Sequence, residues 1–141
     1  MTITLPSNEP DLARRIAEAT PEEMEAMLLD AARRFLAQAV QAMARRDHAA
    51  RGQALTRVTE IIEELSARLN REQGGEVASN LARIYDWWTC ELILASLQDQ
   101  PGPFEEISRW MGELSESWMQ AVRMRMPSAP LRGTAVVGSA G

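Results

Sequence analysis

Apolar residues fall at three- and four-residue steps through most of this chain, and the steps are interrupted at only a few places. That spacing places them on one side of an α-helix, because successive residues turn by about 100°. The first block opens at Thr20-Pro21-Glu22-Glu23. Thr20 is a suitable N-cap, Pro21 suits the first helical position, and Glu23 completes a capping box. Its stripe runs Met24, Leu28, Ala31, Phe35, Ala39, Ala42, and Leu29, Leu36, Val40 and Met43 widen it on one flank. Arg45 and Arg46 complement the helix dipole at the far end.

Asp47 caps a second block, with its stripe at Ala54, Val58, Ile61, Ile62, Leu65 and Leu69. Thr56, Glu60, Glu63 and Glu64 make the opposite, solvated face. Gly74-Gly75 then releases the chain into a third block, residues 74–98. Here Val77, Leu81, Ile84, Tyr85, Trp88, Leu92 and Ala95 form one stripe, and up to Asp86 the other side is polar. Beyond Asp86 a second apolar set appears at Trp87, Cys90, Leu94 and Leu97, roughly 100–180° away from the first. A helix that is apolar all round needs cover on both sides. After the break at Gln100-Pro101-Gly102-Pro103, Pro103 can start a fourth block, with Phe104, Ile107, Met111, Leu114, Trp118 and Val122 on its stripe.

No strand alternation or hairpin signal interrupts these blocks, and the connections are short. The expected fold is all-α: an antiparallel up-down-up-down four-helix bundle over residues 20–126. Residues 1–19 are expected to form a flexible arm with a short helix around Leu12 and Ile16, too short to hold alone in water. Residues 127–141, rich in Pro, Ala, Gly and Ser, are expected to be a disordered tail. At 141 residues the bundle can bury a core without disulfides or metal.

Composition removes several function classes. The net charge is −5, all fifteen basic residues are arginines, and the pairs Arg14-Arg15, Arg33-Arg34 and Arg45-Arg46 are scattered along the chain, so no basic patch for nucleic acid forms. One cysteine rules out an intrachain disulfide framework and fits a reducing compartment. No basic n-region with an apolar h-region opens the chain, and no apolar run approaches the roughly 20 residues of a membrane span. The expected location is the cytoplasm. There is no phosphate loop and no lysine to reach a phosphate. His48 is the single histidine, which leaves a di-iron carboxylate site without its ligands and Cys90 without a ready base. The expectation is no enzyme, no cofactor and no metal.

The surplus apolar surface is the remaining signal. Trp87 and Trp88 are adjacent, so their rings point about 100° apart and cannot share one narrow seam. Trp87 either packs at a wide helix contact or lines a groove for an amphipathic partner, where tryptophan is a favoured anchor. Trp88 and Trp118 are expected in the core, and Trp110 sits at the edge of its stripe.

These residues also carry a family resemblance. Thr20-Pro21-Glu22-Glu23, Leu28, Asp30 and Phe35 resemble the opening of the flagellin-specific export chaperones, the FliS family. The likeness continues through Gly74-Gly75-Glu76, Ala78, Asn80-Leu81, Tyr85-Asp86, Leu92 and Ala95, and ends at Leu114, Trp118 and Ala121. It departs in lacking a tyrosine-rich N-terminal segment, and in Leu29 and Ala31, where the family carries tyrosine and glycine. The resemblance implies a chaperone without catalysis that holds the C-terminal helical region of flagellin in the cytoplasm. It would prevent premature polymerisation and support delivery to the type III export apparatus, with the export gate as a further partner. On that reading the client groove is Leu29, Leu36, Val40, Trp87, Cys90, Leu94 and Leu97, with Leu12 and Ile16 as an N-terminal plug. A monomer binding its client 1:1 is expected. The alternative is a helical regulatory or adaptor protein, homodimeric through the surplus face.

Overall fold

A computed structural model describes residues 17–72 and 74–125. The expected arm around Leu12 and Ile16 and the expected tail, residues 127–141, lie outside the described residues. Within them, four long helices run α1 (Pro21–Arg45), α2 (His48–Glu72), α3 (Gly75–Leu97) and α4 (Gly102–Arg125). Each start follows from local chemistry. The Thr20 hydroxyl accepts from the Glu23 N–H at 3.1 Å, and Glu23 Oε1 accepts from the Thr20 N–H at 2.9 Å. Two otherwise orphaned amides are satisfied together.

Arg46 ends α1 in the left-handed region (φ 60°), and the next N–H, of Asp47, reaches back to the Ala42 carbonyl at 2.9 Å. The Asp47 carboxylate in turn accepts from the Ala50 N–H at 3.0 Å and starts α2. Gly75 opens α3 at φ +64°, a conformation that costs a residue with a Cβ. The last helix begins one residue earlier than Pro103, with the Pro101 carbonyl accepting from the Glu105 N–H at 3.1 Å.

The helices form the expected antiparallel bundle, each packed against its neighbours in chain order and α4 closing back on α1. Cross-links mark the register. Arg68 of α2 donates to Glu25 of α1 at 3.1 Å, and Arg125 at the end of α4 pairs with Glu22 at the start of α1. The packing is uneven. Helix α1 buries eleven residues, and Ala26, Ala31, Ala32, Ala39 and Ala42 among them let α2 and α4 approach closely. Helix α3 buries only Tyr85, Trp88, Leu92, Ala95 and Ser96, and its contact with α4 is the thinnest of the four.

That unevenness corrects one expectation. Val77 and Ile84 share a stripe with Trp88, yet they are 55% and 40% exposed, because no helix covers the outer edge of the first half of α3. Trp88 is in the core as expected, and Trp118 is half-buried against it.

Candidate interaction surface

The thin seam between α3 and α4 opens into an apolar groove of about 370 Å³, with Ile84 and Trp87 on one wall and Trp110 and Leu114 on the other. At its middle the indole rings of Trp87 and Trp110 lie 5.4 Å apart and tilted by 35°. Trp87 remains 47% exposed, so its far face is free for contact. The Arg109 guanidinium sits 5.9 Å from the Trp110 ring centroid, within cation–π range. It also reaches Glu106 at 3.4 Å and Glu113 at 3.8 Å, which fixes it on the groove's rim.

The groove continues along α3. Val77 and Ile84 are seven residues apart, as are Trp87 and Leu94, and all four are large, apolar and exposed. Their 7-3-7 spacing is that of a helix seam awaiting another helix. Ile93, Cys90 and Leu97 lie on the adjoining outer face of the same helix, with Leu97 79% exposed. A depression between α1 and α2, by contrast, is walled largely by polar residues, among them Gln38, Gln41, Gln53 and Arg57.

The residues singled out in the sequence divide sharply. Trp87 and Leu94 stand on the open seam, with Cys90 and Leu97 beside it. Leu29 and Leu36 do not join them; they are at most 1% exposed and sit in the core. Helix α1 is gripped from two sides by α2 and α4, so the width of its apolar face is used up internally. Val40 is half-buried against that core. Leu12 and Ile16 lie outside the described residues. Sequence reasoning missed Ile84 by placing it on the core-facing stripe, whereas Leu114, also on its stripe, both packs against the core and lines the groove. The signal that finds Ile84 is its seven-residue spacing from Val77, continued by the pair Trp87 and Leu94.

Polar side chains are also buried in the core, from α1, α2 and α3. Glu25 is 3% exposed and takes the Arg68 hydrogen bond, and Tyr85 is fully buried nearby. Burial, and then the negative charge of Glu25, push the Tyr85 phenol well above its ordinary pKa, so it stays neutral. Its hydroxyl finds no hydrogen-bond partner among the described residues.

Among the described residues, no three His, Cys, Asp or Glu side chains converge as a metal site. No described helix is long and apolar enough to cross a membrane. An all-helical bundle with one helix left half uncovered beside an aromatic groove is the architecture of a binding protein.

Comparison with known proteins places it further. The family model described as flagellar protein FliS matches residues 6–125, and the chain belongs to that family. It is 33% identical over 106 residues to the flagellar secretion chaperone FliS of Salmonella typhimurium, covering 74% of this chain and 78% of that protein. The Bacillus subtilis flagellar secretion chaperone FliS is 28% identical over 105 residues, with 74% and 77% covered. The Pseudomonas aeruginosa flagellar secretion chaperone FliSB is 29% identical over 104 residues, with 74% and 82% covered. The resemblance carried by Thr20–Glu23 and by Gly74–Asp86 is thus a true family relationship.

Proposed function

We propose that this protein is a cytoplasmic export chaperone for flagellin. It holds the client's C-terminal helical region, keeps it from polymerising early, and supports its delivery to the flagellar export apparatus and its gate. The observation that carries the reading is the open seam Val77, Ile84, Trp87 and Leu94 beside Trp110, in a chain whose relatives are named flagellar secretion chaperones. An amphipathic client segment laid on this seam covers apolar surface that would otherwise drive self-assembly. Binding needs no cofactor, and the groove between α3 and α4 fits a 1:1 complex.

Calorimetric titration of the full chain with a C-terminal flagellin fragment tests this. Saturable 1:1 binding that quenches or shifts the tryptophan emission is the expected result. No binding, by a chain shown to be folded, would overturn the proposal. A second reading rests on the outer face at Cys90, Ile93 and Leu97, which is apolar enough to join two copies in a regulatory or adaptor dimer. The mass of the purified protein in solution separates the two, because only that reading needs a stable dimer.

A further inference from the structure

The seam on α3 is not wholly apolar. Glu91 falls seven residues after Ile84, four after Trp87 and three before Leu94, so it occupies the next position on the same stripe. Its side chain is half-buried, and no ion pair to it occurs among the described residues. The carboxylates on the opposite wall differ: Glu106 and Glu113 already have Arg109. The seam therefore carries one carboxylate without a counter-charge, set between two exposed apolar anchors.

A helix lying on Trp87 and Leu94 must also cover Glu91. An apolar residue opposite would strip water from the carboxylate and return nothing. An arginine or lysine there restores the lost hydrogen bonds and adds a charge-assisted pair. A second copy of this chain is a poor occupant, since each copy is acidic overall and would bring another Glu91 to the interface.

We propose that Glu91 is a specificity-determining residue of the α3 seam, selecting an amphipathic client helix that carries a single arginine or lysine within its apolar stripe. A charged position set between the anchors Trp87 and Leu94 also fixes register, because any sliding of the client separates the pair. Glu91 thus sets where the helix stops as well as which helix binds. The inference rests on the chaperone reading for the biological client, but its chemistry is separable from it.

The test uses the full chain and three synthetic amphipathic peptides that share one apolar stripe and differ at its central position, which is Arg, Gln or Glu. Tryptophan emission and calorimetry report binding. The Arg peptide is expected to bind roughly tenfold tighter than the Gln peptide, the Glu peptide weakest, with the gap narrowing as salt rises. Glu91→Arg is expected to reverse that order. Glu91→Gln, nearly isosteric and safe for folding, is expected to abolish the preference while keeping binding through the apolar anchors.

If the Arg and Gln peptides bind the wild type equally, or Glu91→Gln keeps the preference, the inference is wrong even where the flagellin fragment binds. If the preference holds while the flagellin fragment does not bind, the inference stands and the chaperone reading falls. A protein that is dimeric and binds no peptide overturns both.

Discussion

Trp87 of α3 and Trp110 of α4 meet with ring centroids 5.4 Å apart across the thinnest seam of the bundle. One step along the chain, Trp88 is 3% exposed and lies 5.7 Å from the fully buried Tyr85. Adjacent indoles thus serve opposite ends. One is core and the other surface, as the 100° turn between neighbouring residues requires.

Truncating the two should separate stability from binding. Trp88→Ala removes a core side chain and should cost about 3–5 kcal/mol in urea unfolding. Trp87→Ala should cost about 1 kcal/mol or less of stability, because its outer face already meets water, yet weaken client binding by about 1–2 kcal/mol. Equal losses of stability would show that Trp87 is also a core residue.

Gly112 of α4 sits under an arginine of α1. An added Cβ at Gly112 would stand 2.7 Å from the Arg33 guanidinium, whose Nε donates to Ser108 Oγ at 3.3 Å. Gly112→Ala gains about 1 kcal/mol in helix propensity, and the flexible, exposed Arg33 can swing aside at the loss of one surface hydrogen bond. The net expectation is a rise of a few degrees in melting temperature, and a fall would mean that the guanidinium is held in place. The double variant Gly112→Ala, Arg33→Ala should then gain no less than the single one.

How much of this was legible beforehand follows from what periodicity encodes. Spacing and caps give helix limits because those are local: Thr20, Asp47 and Gly74-Gly75 act on the few residues beside them. They also show that α3 carries more apolar surface than one seam uses. Whether a wide stripe is covered depends on how many neighbours a helix has. Leu29 and Leu36 on α1 look as surplus as Trp87, yet two flanking helices consume them. Ile84 looks like core, yet none reaches it. Glu91, the carboxylate between Trp87 and Leu94, reads in sequence as an ordinary acidic residue until the seam around it is known to be open.

Acid should weaken the clasp between the ends of α1 and α4. Arg125 hydrogen-bonds Glu22 through Oε2 and makes a close ionic contact through Oε1. That hydrogen bond holds the Glu22 carboxyl below its ordinary pKa of 4.5. A depressed folded-state value means the contribution is present above the unfolded carboxylate's pKa and is lost as pH falls through the folded one. Arg125 is more than half exposed, so solvent screens the pair and its worth is about 1 kcal/mol at most. Glu22→Gln should therefore lower the melting temperature by a few degrees at pH 7, less in high salt. The gap from wild type should close progressively below about pH 4.3. A gap unchanged at pH 3 would assign the loss to packing.

The buried phenol makes the most exacting test of the core. Tyr85 is fully buried, and its hydroxyl lacks a partner among the described residues, while burial and then the charge of Glu25 raise its pKa. A buried hydroxyl without a hydrogen bond costs about 1–3 kcal/mol in protein interiors. Phenylalanine keeps the ring and its 5.7 Å contact with Trp88 while removing that penalty. Tyr85→Phe should therefore be neutral or more stable by about 1 kcal/mol in urea unfolding, with binding through Trp87 unchanged. Tyr85→Leu should lose about 1–3 kcal/mol through poorer packing, which keeps the effect of the ring apart from that of the hydroxyl. If Tyr85→Phe instead loses more than about 1 kcal/mol, the hydroxyl makes a stabilising hydrogen bond. Glu25 would be the first acceptor to examine, and the double variant Tyr85→Phe, Glu25→Gln would measure the coupling directly.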